Sequence, residues 1–400
     1  MLEQSTRDSI GLNVPFNHDP LTLDALAAIN ADPLTRFPVR QIYFSESSSL
    51  TGNGRLSRSL PKRCMSLPEI CAVAHREAIE VFLVWNAPSL GGSEWTREFR
   101  ARMIAEIERI VKAGVDGIIL TLPILSNCIR EIAPSLSQSV SVNARIDSVS
   151  MLGEVICLWA ADRYYIHPSR SRSFSLIRSM KKAHPESHLV ALVNESCILN
   201  CPLQPFHQDY LAQTTRLGAD LDGIDYHHVL CGIHKLSDDL HVLRSPWVSP
   251  EGIRHLFEAG VSRVKLAGRT LDTASLLQLI RAYAHGSYDG DIWPFFEKSG
   301  LTSPEWDELL GKPMSPCRYR VENHLLVERE FMEYFAKANP PCVDGLPCGG
   351  CTHCHNALIA VTPPTNKLER IADLKTVKKA VENRFYRVSR PEASAGSMGG

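Results

Sequence analysis

Four hundred residues with 44% hydrophobic content can bury a large core, so one large domain with a smaller companion is expected. Forty-three Lys and Arg against 44 Asp and Glu leave a formal charge of −1, which excludes a globally basic nucleic-acid binder. No run approaches the ~20 apolar residues of a membrane span. The N-terminus has neither a basic start nor an apolar stretch, so no signal peptide is read there and a cytoplasmic chain is expected.

In chain order, residues 1–36 read as an N-terminal extension. Strands are then predicted at Gln41–Ser45, Val81–Trp85, Gly117–Leu122, Ser139–Ala144 and Tyr164–His167. Leu189–Val193, Val242–Ser245 and Arg263–Ala267 continue the series. Helical patterns lie between them. In Trp95–Ala113 the residues Trp95, Phe99, Met103, Ile107 and Ile110 form one apolar stripe. Apolar strands alternating with such helices indicate a parallel sheet covered on both faces. Gly114 and Gly260 stand where a left-handed helix cap is wanted, in a faint Ala-Gly-Val repeat with a weaker copy at Leu217. The fold expected over 37–300 is a modified (β/α)8 barrel, with an open doubly wound sheet as the alternative. The glycine-rich turn Thr51-Gly-Asn-Gly-Arg55 lacks the Lys-Ser/Thr pair of a phosphate loop.

After residue 300 the pattern changes. Residues 301–390 read as a cysteine-rich metal-binding module, with a strand at Tyr319–Val327 and a helix at Leu368–Arg387. Leu374, Val377, Val381 and Phe385 share one side of that helix. Asn366–Arg390 holds eight Lys or Arg against three Asp or Glu, which reads as a solvated helix face. Residues 391–400 read as a disordered tail.

The twelve cysteines carry the strongest chemical signal. Cys342, Cys348, Cys351 and Cys354 fall within thirteen residues, a crowding that in a reducing compartment points to a metal. Two successive x₂ spacings wrap three thiolates around one centre, as in [4Fe–4S] ferredoxins, with Cys342 as the fourth ligand. Zinc is the alternative there, and His353 or His355 could replace a cysteine. A second group follows the Leu189–Val193 strand. Cys197 and Cys201 lie beyond its C-terminal end, where barrel active sites are built. Cys231 could join them in holding a cluster, with His207, His234, Cys64 or Cys71 as candidates for the fourth position. Cys128, Cys157 and Cys317 read as small buried hydrophobes. Asn86, Asn143, Asn194, Glu195, Arg145, Lys265, Arg269 and Arg55 stand at strand ends, and the cations among them would suit a carboxylate or phosphate. A thiol hydrolase with Cys197 as nucleophile and His207 or His234 as base would leave Cys201 and Cys231 without a role.

In these motifs the chain resembles the collagenase-like peptidase family U32. The likeness runs through IYFSESSSLTGNGR (residues 42–55), FLVWNAP (82–88), GVDGIILTLP (114–123) and SVNARIDS (141–148). It continues through LVNESCILNCPLQPFH (192–207), RSPWVSPEGI (244–253), VKLAGRT (264–270) and CGGCTHC (348–354). The resemblance implies a barrel-like catalytic domain. It also implies iron–sulfur chemistry more than proteolysis, since well-understood members support oxygen-independent hydroxylation in ubiquinone biosynthesis and of RNA bases, with prephenate implicated as oxygen donor. Such members hold their core cluster on four cysteines. Cys197, Cys201 and Cys231 fit that region, whereas no fourth cysteine is matched.

The expectation is therefore an iron–sulfur enzyme with one or two [4Fe–4S] clusters, or zinc at the C-terminal cysteines. It would modify a small molecule, RNA or peptide, with Glu195, Arg145 and Arg269 as candidate catalytic residues and a partner subunit of the same family as a further expectation. A peptidase and a non-catalytic, zinc-stabilised interaction protein are the competing classes.

Overall fold

The computed structural model describes residues 10–46, 49–53, 65–216, 224–296, 304–346 and 348–388. Eight parallel strands close into a barrel: β1 (Gly11–Pro15), β2 (Val39–Phe44), β3 (Glu80–Trp85), β4 (Gly117–Leu120), β5 (Ser137–Val140), β6 (Arg163–Tyr165), β7 (His188–Leu192) and β8 (Val261–Lys265). β1 pairs with β2 on one side and β8 on the other, and that closure sets aside the open-sheet alternative.

The barrel reaches eight strands by a different route from the sequence reading. Val242–Ser245, expected as a strand, falls on the short helix Leu240–Arg244. Its place is taken by β1, inside the stretch expected to be an extension. Gly11-Leu-Asn-Val-Pro15 contains three residue types depleted in strands, which hid it from a propensity argument. Asn13 is nevertheless at home there, because it faces the barrel interior and its amide donates to the Tyr165 hydroxyl at 3.2 Å. The barrel domain thus begins before residue 37.

The covering helices follow their predicted stripes. In the helix Arg97–Ala113, Thr96 caps the start by accepting from the Phe99 N–H, and Phe99, Met103, Ile107 and Ile110 are buried. Gly114 at φ 88 and Gly260 at φ 103 take the left-handed conformation just before β4 and β8. Trp95 departs from the stripe: it sits in a separate 3₁₀ turn and is exposed.

A smaller module of residues 304–388 packs against the barrel's flank. Its expected strand at Tyr319–Val327 is reduced to β9 (Arg320–Val321), paired antiparallel with β10 (Val361–Thr362), and is followed by the helix Asn323–Glu328. The long helix Lys367–Val388 buries Leu374 and Val377 and lies along the helix Tyr226–Ser237, whereas Phe385 is exposed. Asp239 ties module to barrel, accepting from the Tyr319 hydroxyl at 2.6 Å and from Lys367 Nζ at 2.8 Å. The Leu217 repeat copy and the 391–400 tail lie outside the described residues. Among the described residues no helix is long and apolar enough to cross a membrane.

Inside the barrel, Tyr43, Phe82, Val84, Ile119, Tyr165 and Val190 fill the middle layer. The floor is ionic. Glu80, first residue of β3, receives both carboxylate bonds from Arg163 Nη2, at 2.8 and 3.0 Å, and stands 3.9 Å from Arg263. All three side chains are essentially without solvent. Removing one partner of a buried ion pair strands the other charge, which costs about 3–5 kcal/mol. Glu80→Leu should therefore lower the unfolding free energy by about that amount, read as a shift of the urea midpoint at pH 7. A loss within the scatter of ordinary surface substitutions would show that the floor is not held by charge.

Candidate functional site

The site is built on the turn leaving β7. Asn194 pins this turn to the end of β8: its side-chain oxygen accepts from Ala267 N–H at 2.6 Å, and its amide donates to the carbonyls of Ala267 (2.8 Å) and Phe295 (3.0 Å). It is thus a structural brace, where the sequence had placed it at the mouth. Glu195 follows and accepts from the Cys197 thiol at 3.1 Å. The Ser196 carbonyl is held by Lys235 Nζ at 2.5 Å and by the Ser245 hydroxyl at 3.2 Å. Asn200 takes a left-handed conformation, φ 54, and its N–H donates to Ser169 Oγ, turning the chain so that Cys201 is buried.

Cys197, Cys201 and Cys231 line one cavity. Cys317 lines it too. Cys231 arrives on the helix Tyr226–Ser237, and Cys317 comes from the C-terminal module. Cys317, read from the sequence as a small buried hydrophobe, is buried, and the packing of the C-terminal module puts it on this cavity. Burial raises its thiol above the usual range, against the pull of the Arg370 and Lys367 charges. Arg370 itself borders the cavity, with Trp293 and Trp306 supplying apolar wall.

The other candidates for a fourth position lie elsewhere or are engaged. Cys71 is on the buried face of the helix Leu67–Arg76, where desolvation and the Asp116 charge push it up to about 12. The His234 ring is tilted against that of His241, ring centroids 4.5 Å apart. Cys64 lies outside the described residues. His207 does line the cavity, and its Nε2 meets Asp225 at 2.7 Å. Burial alone would raise Asp225, but the hydrogen bond and charge of His207 leave it below the ordinary carboxylate range. Of the cysteines expected to be inert, Cys128 is half-buried and Cys157 is exposed.

At the barrel mouth, Lys265 Nζ stands 4.0 Å from the Tyr43 ring centre and 4.8 Å from that of Tyr165. The Arg269 guanidinium lies over the same Tyr43 ring and bonds the Ser45 hydroxyl. Two cations thus converge on one aromatic ring. Arg145 follows β5 at φ 59 and stands by His167, which burial first, and then the Arg145 charge, holds below the usual imidazole range. Asn86 and Asn143 are tied together at the rim: the Asn86 carbonyl accepts from the Asn143 side-chain amide at 2.7 Å. Arg55 lies outside the described residues.

The second cysteine group gathers beside a different cavity, lined by Cys342, Cys348 and Cys354 together with Arg172 and Arg244. Cys351 adjoins it, 3.3 Å from the Tyr334 hydroxyl. Burial raises the Cys342 and Cys354 thiols, Cys354 to about 11, and the neighbouring thiolates of the same group add to both shifts. Burial pulls the Arg172 guanidinium below its usual range, to about 10, and the charges that Cys354 and Cys342 would carry as thiolates only partly oppose that shift. His353 is stacked on Tyr334 at 3.9 Å and bonds the Phe331 carbonyl at 3.0 Å, so it serves packing and is not aimed at the thiols. Among the described residues no three His, Cys, Asp or Glu side chains stand in finished metal-ligating geometry.

No family model matches the chain. An uncharacterized protease of Methanocaldococcus jannaschii is 23% identical over 223 residues, 55% of this chain and 64% of the relative, so the match spans less than two thirds of that protein's length. Among solved structures, the U32 peptidase Mk0906 is 15% identical with a TM-score of 0.46, covering 65% of this chain and 94% of the other. The YdjI aldolase of Escherichia coli K12 is 8% identical with a TM-score of 0.34, over 70% of this chain and 90% of the other. The chain is a (β/α)8-barrel protein, and one of the solved structures it is similar to is itself a U32 peptidase.

Proposed function

We propose that this protein is an iron–sulfur enzyme of the U32 type that catalyses or supports an oxygen-independent hydroxylation, or related modification, of a small molecule, RNA or peptide. One observation carries the reading: four thiols, Cys197, Cys201, Cys231 and Cys317, line a single cavity beyond the C-terminal end of β7. A hydrolase needs one thiol, whereas a cluster needs several. When bound there, a [4Fe–4S] cluster would supply one-electron chemistry or an iron open to a ligand. The chain's own residues do the rest. Arg370 brings positive charge beside Cys317, the indoles of Trp293 and Trp306 exclude water, and Lys235 fixes the Cys197 turn. Lys265 and Arg269 would orient an anionic substrate at the mouth, with Glu195 beside Cys197 as a proton-handling group. The C-terminal group, Cys342, Cys348, Cys351 and Cys354, would hold a second centre, iron–sulfur or zinc.

Protein purified without oxygen should be brown and contain iron and sulfide, since thiolate-to-iron charge transfer gives colour and zinc gives none. Cys317→Ser should lose one centre's iron as completely as Cys197→Ser with Cys201→Ser does, with circular dichroism unchanged. Colourless, zinc-only protein after anaerobic reconstitution would overturn the iron–sulfur reading. Full iron in Cys317→Ser would remove that residue from the ligand set.

A peptidase is the second reading, favoured by the His207–Asp225 pair on the same cavity, which has the form of an oriented base, and by the name of the archaeal relative. Our reading expects activity that is lost in air and restored by iron, sulfide and thiol, with no turnover of casein. The peptidase reading requires the reverse. Air-exposed, metal-stripped protein would cleave casein, Cys197→Ala would abolish cleavage, Cys201→Ala would not, and His207→Gln would slow it roughly 10²–10⁴-fold.

A further inference from the structure

We infer that Arg172 is the built-in counter-charge of an anionic metal–thiolate centre on Cys342, Cys348, Cys351 and Cys354, holding that centre against the barrel. The inference rests on the reading of those cysteines as metal ligands and adds a residue that no spacing argument reaches.

Arg172 lies after β6 and is 4% exposed. Its guanidinium is sandwiched by aromatic rings, with Trp247, Phe335 and Phe331 centred 4.6, 4.8 and 5.2 Å away. Nε donates to the Trp247 carbonyl at 2.6 Å and Nη1 to the Leu243 carbonyl at 2.7 Å. Nη2 is buried and has no hydrogen-bond partner among the described residues. The side chain borders the cavity lined by Cys342, Cys348 and Cys354. Arg244 borders it as well: its Nη1 pairs with Asp238 at 3.1 Å, while its Nε is buried with no partner among the described residues.

A buried guanidinium without a counter-charge is expensive, and proteins keep such a group only where something pairs with it. Carbonyls and ring faces orient Arg172 but do not neutralise it. Four thiolates around Zn²⁺, or around a [4Fe–4S]²⁺ core, make a net dianion in either case. Such a centre supplies the missing charge, and its sulfurs are acceptors for the N–H groups facing the cavity. The fixed fork of arginine suits this role, with two arms anchored on backbone and the third left for a sulfur acceptor. Groups behind the ligands commonly set metal affinity by about 10–100-fold.

The test titrates the full-length chain, prepared without oxygen, with Zn²⁺ alone and separately with iron plus sulfide, each against a competing chelator. The metal lost in Cys348→Ser with Cys351→Ser defines the C-terminal centre. Arg172→Met should hold that metal about 10–100-fold more weakly, and Arg172→Lys, which keeps the charge, should recover most of the loss. Urea midpoints show whether each variant is folded. If the centre takes iron, its reduction potential should fall in Arg172→Met, because a nearby cation favours the more negative, reduced state. Should Arg172→Met fail to fold, Arg244→Met, on the same cavity, is expected to weaken the metal in the same direction. Wild-type affinity in a folded Arg172→Met, or in its stand-in Arg244→Met, overturns the proposal. So does an equal loss in the Met and Lys variants, which would make packing the cause. Full metal content in the double serine variant would instead refute the metal reading itself, and the proposal with it.

Discussion

Closure of β1 against β8 is the constraint on which the rest of the molecule depends. Once the sheet is closed and parallel, every strand must end at the same rim, and the turns that follow have nowhere to go but toward one another. The interior then has to be filled from two ends with different material. At the floor, Arg163 and Arg263 meet Glu80, charge against charge with almost no solvent. Near the top, Lys265 and Arg269 share Tyr43. The aromatic layer between them keeps these two sets of charges apart, so the upper cations face the mouth while the lower ones answer to the floor carboxylate.

The turn after β7 acts as a partition. Cys197 and Cys201 look into the cavity shared with Cys231 and Cys317, while Leu199, between them in sequence, lines the cavity of the C-terminal cysteines. Two residues of extended chain span at most about 7 Å, so the two cysteine groups share a thin wall. That wall is braced from both sides, by Asn194 on the β8 end and by Lys235 and Ser245 on the Ser196 carbonyl. A turn this short cannot move toward one cavity without withdrawing from the other.

The architecture was largely legible from periodicity, and its errors have local causes. β1 was missed because Gly, Asn and Pro argue against a strand unless one knows that Asn13 faces a polar barrel interior and reaches Tyr165. Val242–Ser245 was misread because four residues cannot distinguish a buried strand from a buried helical turn. Within the site, cysteines with close neighbours in sequence announced themselves through spacing. Cys317 could not, since its partners are brought to it only by the docking of the C-terminal module on the helix Tyr226–Ser237. Arg172 was hidden for a related reason: among many arginines, nothing marks the one whose charge will be buried among aromatic rings.

The C-terminal module therefore contributes to both sites and is more than an appendage. Through Cys317 and Arg370 it completes the wall of the barrel cavity, and through Cys342 to Cys354 it faces Arg172 on the other side of the β7 turn. Beside the apolar packing of Phe331, Phe335, Leu374 and Val377 into the common core, its attachment has polar points, with Asp239 gripping Tyr319 and Lys367 and the Val343 carbonyl accepting from Arg170 and Ser173. Hydrogen bonds of this kind contribute only about 1 kcal/mol each, so they position the module more than they hold it. A metal bound by four thiolates contributes far more to the folding of a small unit than such bonds do. Metal at the C-terminal cysteines would then set how firmly Cys317 is presented to the other cavity, and the two groups of thiols become one mechanical unit joined through the β7 turn.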